Sequence, residues 1–285
     1  MKRVSLILGL ALLLGALLAA VSYSNGQLTG DEILQKVDEQ QDIIFGGDVV
    51  MTLKFENVYS DGTTAYNVFG GLRKKVEGQP DKSLIYFKEP EDVEGTIFLS
   101  IKPEGEDARL WLYLPALGQV KELISEEKHQ SFAGSTFSRR EIGEHKISED
   151  YTGELIGEET VTIGEQSYDC YVVKLTAKPD ADVDFPTGKL WVDKENWLAL
   201  KGEDYNEAGN LERTMEVLKL GEFEGNVVPD VMLAKNVIEG NSTTISFIDR
   251  HRPDKPIPDE VFDPDNLQNF DPTAWGFVWP PKEGE

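Results

Sequence analysis

Between Val49 and Asp249 the apolar residues of this chain recur mainly at every second position, in runs separated by short polar turns. Val49, Met51, Leu53 and Phe55 alternate with Val50, Thr52, Lys54 and Glu56. Asp61-Gly62 then gives a hairpin signal, and residues 63–74 read as the return strand. The same pattern predicts strands over residues 83–88, 96–102, 109–114, 154–163, 168–177, 188–192, 198–205, 211–220, 227–239 and 243–249, with a short one at Val120, Leu123 and Ile124. Pro103 to Asp107, Glu165-Gln166, Glu195-Asn196 and Ala208-Gly209-Asn210 sit where turns are needed, so the strands form an antiparallel meander.

One segment departs from this period. Residues 28–41 carry Ile33, Leu34 and Val37 on one helical face, with Thr29 as N-cap and Glu32 completing a capping box. So many strands cannot stay flat, because a sheet so wide curls or splits. A curled sheet has an apolar concave face, and the amphipathic helix is the element available to close it. The expected fold is mainly β: a curled antiparallel sheet, an incomplete β-barrel, closed by an N-terminal amphipathic helix.

The ends and the charge narrow the setting. Lys2 and Arg3 precede an apolar run over residues 4–21, and Ala20-Val21-Ser22 offers the small residues read by a signal peptidase. This predicts a signal peptide at 1–22, a single half-barrel domain at 23–268 and an extended or disordered tail at 269–285. The exported chain would be periplasmic. The alternative is an uncleaved leader anchored in the inner membrane, since about eighteen apolar residues just span a bilayer. No cysteine follows the run, so no lipid anchor is expected, and with Cys170 alone no internal disulfide can form. Asp and Glu number 52 against 28 Lys and Arg, a formal charge of −24, which repels nucleic acid and anionic headgroups.

Reactive chemistry is poorly supported. His129, His145 and His251 have no ligand spacing between them, and Cys170 lies mid-strand as a buried thiol would. No GxSxG occurs. Asp180-Ala181-Asp182-Val183-Asp184 begins like a calcium loop, but Phe185 and Trp191 occupy the positions that need glycine and glutamate, so a solvated acidic turn is the better reading. Neither an enzyme nor a cofactor is expected.

The most informative stretch is Leu110 to Phe137: Trp111 to Leu117 (WLYLPAL) leads into a second strand, and Phe132 to Ser138 (FAGSTFS) follows. With the turn Pro90 to Thr96 and the late hairpin Leu190 to Asp193 and Trp197 to Lys201, these residues resemble the outer-membrane lipoprotein-sorting proteins, the LolA-like family. The resemblance spans residues 28–267, with Arg139-Arg140-Glu141 standing where the family carries an acidic and aromatic segment. It implies a LolA/LolB-like half-barrel with a lid over a hydrophobic cavity. It also implies a carrier of lipoprotein or lipid acyl chains, with an inner-membrane exporter and an outer-membrane acceptor as partners, acting as a monomer.

The inward set read from the strands is Val49, Met51, Leu53, Phe55, Ile85, Phe87, Ile97, Leu99, Ile101, Leu110, Leu112 and Leu114. Ile33, Leu34, Val37, Phe132 and Phe137 are expected at the lid. By pattern alone this set is an ordinary filled core, because periodicity cannot see an empty space. The cavity is what the resemblance adds. Gly134 and Ser135 would then let the Phe132–Phe137 loop move. In the family an arginine on a strand tethers the lid, and Arg73 and Arg109 are both candidates here. The alternative function is an envelope scaffold with a filled core, binding a protein partner along a sheet edge or the acidic face.

Overall fold

The structure, a computed structural model, describes residues 28–143 and 146–281. The leader expected at 1–22 and His145 lie outside the described residues. The strands are β1 (Gly47–Val58), β2 (Thr64–Lys75), β3 (Asp81–Glu89), β4 (Ile97–Lys102), β5 (Arg109–Leu114), β6 (Gln119–Glu122), β7 (Tyr151–Ile163), β8 (Gln166–Ala177), β9 (Thr187–Asp193), β10 (Ala199–Tyr205), β11 (Leu211–Phe223), β12 (Asn226–Asn236) and β13 (Asn241–His251). All 13 belong to one antiparallel sheet in the order β6-β5-β4-β3-β2-β1-β13-β12-β11-β10-β9-β8-β7.

Two meanders thus meet where the first strand pairs with the last. Met51 lies opposite Gly71 of β2 on one side and Arg250 of β13 on the other. A bulge at Thr52/Leu53 adds to the bending of the sheet at this seam. The sheet curls without closing, and β6 and β7 are its two free edges. Both carry charge that discourages strand addition: Lys121 and Glu122 on β6, and Glu154, Glu158 and Glu159 on β7.

The helix α1 (Gly30–Phe45) starts with the expected capping box. Glu32 N–H donates to Thr29 Oγ1 at 3.2 Å, and Thr29 N–H donates to Glu32 Oε2 at 2.7 Å. The helix runs four residues beyond the predicted end at Gln41. Ile33, Leu34 and Val37 are buried against Val173 and Leu175 of β8 and Leu190 and Val192 of β9. Its first turn meets β7 backbone to backbone, and Gly153 N–H donates to Asp31 Oδ1 at 2.7 Å. A Cβ on Gly30 would stand 2.3 Å from the Gly153 carbonyl carbon. Glycine is therefore required here by close approach.

The opposite face of β1 to β5 is also covered. The chain after β13 passes through three 3₁₀ turns, Asp259–Phe262, Pro264–Asn269 and Pro272–Trp275. Ile257, Phe262 and Leu267 bury themselves on Val50, Leu72, Leu84, Ile97, Leu99 and Trp111, with Phe270, Trp275, Phe277 and Trp279 alongside. Phe277 lies over Gly70, where a Cβ would come within 2.7 Å of its ring. The tail boundary expected at residue 269 falls inside this strap, which occupies residues 253–281 as one packed segment.

Replacing Gly30 by valine should cost about 1–3 kcal/mol through overpacking against β7. A cavity-free control is Gly157→Ala, because a Cβ at Gly157 meets nothing within 4 Å. Thermal unfolding should show a lower midpoint for G30V and a near-native one for G157A. Equal midpoints would show that α1 does not need this close contact.

Candidate ligand-binding site

The edge positions of β6 and β7 dictate the site. These strands are consecutive in sequence but lie at opposite ends of the sheet, so residues 123–150 must cross its concave face. The crossover contains three short helices, α2 (Ser125–Lys128), α3 (Arg139–Ile142) and α4 (Ile147–Asp150). Phe132 plugs it into the sheet. The ring is 2% exposed, with centroids 6.1 Å from Phe55 and 5.4 Å from each of Phe69, Phe87 and Phe98.

Polar clamps fix the loop around that plug. Ala133 and Gly134 both have positive φ, 51° and 72°. The Ala133 carbonyl accepts from Asn57 Nδ2 at 3.1 Å and from Asn67 Nδ2 at 3.3 Å. Thr243 Oγ1 accepts from Thr136 N–H at 2.9 Å while donating to Asn57 Oδ1 at 2.8 Å. Gly134 thus serves a tight turn pinned by β1, β2 and β13.

The strongest tether is Arg213 on β11, 3% exposed. Its guanidinium donates to Asp204 at 2.8 Å, to the Thr136 carbonyl at 3.0 Å and to Glu141 of α3, while Phe137 and Phe185 lie against it. Burial opposes its charge, but Glu141 and Asp204 outweigh that and raise its pKa. Burial raises the Asp204 carboxyl above its ordinary range despite Arg213, and Glu141 pushes in the same direction. The two arginines named from the resemblance lie elsewhere. Arg109 is an exposed partner of Glu122, and Arg73 stacks on Phe45 of α1 at 5.5 Å.

Between the crossover, the end of α1 and the central strands lies a partly enclosed cavity of ≈ 380 Å³. Met51, Leu53 and Phe55 of β1 and Ile85 of β3, from the inward set, and Phe132, expected at the lid, line it. Phe69, Ile142, Leu198, Met232, Ile245 and Phe247 complete the apolar wall. Gln41, Ile44 and Phe45 contribute the last turn of α1, and Arg73, Ser83, Glu141 and Arg250 are its main polar groups.

The remaining expected residues lie elsewhere. Phe87, Leu110, Leu112 and Phe137 pack in the aromatic cluster around Phe132, beside the cavity. Val49 belongs to a neighbouring cluster with Ile44, Leu198 and Phe223, and Leu114 is half-buried near the β5–β6 turn. Ile97, Leu99 and Ile101 are a correction: they face the C-terminal strap, and Phe98 points toward the cavity side instead. Alternation marks Ile97, Leu99 and Ile101 as the apolar parity of β4, but both faces of the strand are covered and this one meets the strap, so alternation does not tell which covered face is the cavity side. Ile33, Leu34 and Val37 are a second correction. They anchor α1 to β8 and β9, and the residues that reach the cavity come from the turn beyond the predicted helix end. The missed β13 pair, Ile245 and Phe247, carried a signal in its own alternation.

The acidic turn 180–184 has a basic partner. His129, from the crossover, lies 2.8 Å from Asp182 and 2.7 Å from Asp184, which also accepts from Ser138 Oγ at 2.6 Å. Burial lowers the His129 pKa, but its hydrogen bonds to Asp184 and Asp182 outweigh it, and the net shift is upward. Cys170 is buried, and burial pushes its thiol up to about 11, so it is protonated at neutral pH.

Two measurements probe these fastenings. Arg213→Met leaves Glu141 and Asp204 facing each other and should cost about 3–5 kcal/mol in urea unfolding. A loss below about 1 kcal/mol would show that the crossover is held mainly by Phe132. For His129 the folded pKa exceeds the unfolded value of about 6.5, so its stabilisation is complete below that pH and disappears as pH rises through the folded value. The stability difference between wild type and His129→Gln should therefore be up to about 1 kcal/mol at low pH and shrink as pH rises above the unfolded value. A difference that grows with pH would refute the charged latch.

Comparison with known proteins follows this architecture. A family model described as an uncharacterized-protein-like family matches residues 79–269. No curated protein matches the chain. Among solved structures, a domain assigned to an outer membrane lipoprotein-sorting protein of Vibrio parahaemolyticus is 25% identical, with a TM-score of 0.74, covering 84% of this chain and 98% of that one. A DUF1329 family protein from Desulfovibrio piger is 23% identical, with a TM-score of 0.76, over 85% and 100% of the two chains. A LolA superfamily protein from Nitrosomonas europaea is 21% identical, with a TM-score of 0.65, over 84% and 99%. The chain belongs to the family described by the model over residues 79–269, and it has the fold of the LolA-like lipoprotein-sorting proteins.

Proposed function

We propose that this protein is a carrier that shields an acyl chain of a lipoprotein or envelope lipid while it crosses the aqueous periplasm toward the outer membrane. The observation that carries the reading is the ≈ 380 Å³ cavity walled by Met51, Leu53, Phe55, Phe69, Ile85 and Ile245. Each methylene moved there from water contributes about 0.8 kcal/mol without a directional bond. Affinity then grows with chain length, and release needs only a path for the chain to slide out. Such a carrier performs no covalent step and needs no cofactor. It would receive cargo from an inner-membrane exporter and pass it to an outer-membrane acceptor, acting as a monomer after removal of its leader.

A cavity of this size suggests modest cargo. A methylene occupies about the volume of a liquid water, ~30 Å³, so the space takes roughly a dozen such groups. That is one chain, and a lipoprotein with several chains would need the cavity to open further or leave some outside it.

Purified mature protein, taken from its native envelope under mild conditions, should yield stoichiometric acyl-bearing species on extraction and mass spectrometry. Ile142→Trp, which fills the cavity from α3, should weaken binding of a fluorescent fatty-acyl probe about tenfold or more while leaving the unfolding midpoint near native. A protein that is clean on extraction and indifferent to acyl probes would support the scaffold alternative instead.

A further inference from the structure

The cavity meets water at one end and an aromatic ring at the other, and strand register orders the residues between. Among the described residues that line it, Gln41 alone is exposed. Gln41 lies in the last turn of α1, beside Ile44 and Phe45, where the helix runs into the start of β1. Along β1 the wall then steps from Met51, opposite Gly71, to Leu53, opposite Phe69 and Phe247, and to Phe55, opposite Ile245. From Met51 to Phe55 the strand advances about 13 Å, at about 3.3 Å per residue. At the far end stands Phe132, whose ring packs on Phe55 and Phe69 of the last two steps and on Phe87 and Phe98.

The ring is firmly held. Phe132 N–H donates to the Phe137 carbonyl at 2.8 Å, and the Phe132 carbonyl accepts from Ser135 N–H at 2.9 Å. The next residue, Ala133, is clamped to β1 and β2 through Asn57 and Asn67. With aromatic neighbours on several sides and 2% of its surface exposed, the ring has no free space into which to swing. The apolar interior continues past it. Phe87, Phe98, Leu110 and Leu123 share its buried cluster but do not line the cavity. The hollow therefore ends where it does because Phe132 occupies the path, and not because apolar surroundings run out.

We propose that Phe132 is the stop that sets the longest acyl chain the protein holds: one chain enters beside Gln41, lies along Met51, Leu53 and Phe55, and rests its methyl end on the Phe132 ring. This rests on the carrier reading and specifies its cargo as a chain of about twelve carbons, the number that ≈ 380 Å³ accommodates at ~30 Å³ each. A longer chain must leave its excess methylenes in water or displace a packed ring, so further carbons add no affinity.

Displacement of a fluorescent fatty-acyl probe from the mature protein by a series of alkanoates, octanoate to octadecanoate, tests the stop. Affinity should rise about threefold to fourfold per added carbon as far as dodecanoate and then level off. Phe132→Ala opens the path into the cluster behind and should extend the rise to about hexadecanoate. Phe132→Leu, a milder change that keeps the cluster largely filled and the chain folded, should extend it by about one carbon. In the wild type, dodecanoate carrying a photoreactive diazirine on its terminal carbon should label Phe132 or its neighbours Phe55 and Phe69. Three results would each overturn the stop and leave the carrier reading standing: affinity that climbs unbroken to octadecanoate, a break unmoved by both variants, or a label placed away from Phe132 and its neighbours. If neither probe nor alkanoate binds, both readings fall together.

Discussion

Two strands adjacent in sequence, β6 and β7, sit at the far edges of a curled sheet, and the peptide joining them has no route except across the hollow. Everything else in the site follows from that requirement. A crossing of this length has little regular structure to stabilise it, so it must be fastened point by point. Arg213 fastens its far part through Glu141, Phe132 fastens its middle in an aromatic nest, and His129 fastens its near part to the acidic turn. The half-barrel stays open as a sheet but is roofed by its own chain. The helix α1 roofs the remainder, joined to β7 at one end and, through Asp42, to Lys75 of β2 at the other.

Much of this was legible before any coordinates. Alternation located nearly every strand, and Thr29 with Glu32 announced the start of α1. The phase of β1 was readable because Met51, Leu53 and Phe55 alternate with polar or smaller neighbours, whereas Ile85 of β3 stands between Leu84 and Tyr86. β4 resisted for a physical reason: Ile97, Phe98 and Leu99 are all apolar because one side meets the cavity cluster and the other meets the strap. The role of Arg213 was out of reach, because its partner Glu141 lies 72 residues away in sequence. The end of α1 was missed because Ile44 and Phe45 follow a polar stretch that breaks the helical stripe.

The acidic composition takes on a more local meaning in the folded chain. Carboxylates at positions 182 and 184, which in sequence suggested a failed cation loop, are counter-charges for the roof. Arg213, buried beside Asp204 and Glu141, sits where the crossover is fastened to β11. An overall negative charge keeps the outside well solvated and free of anionic surfaces.

The strap over β1 to β5 has a mechanical implication. Those strands are backed by packed indole and phenyl rings, so their inner surface behaves as a braced plate that cannot bow outward without tearing that backing away. The far wall has no such support: outward positions on β11 and β13, such as Leu218 and Ile248, meet water. Compliance is therefore one-sided. A guest bulkier than the resting hollow must find its extra room by displacing the unbacked wall and the roof, which confines adaptation to the half of the vessel opposite the braced one.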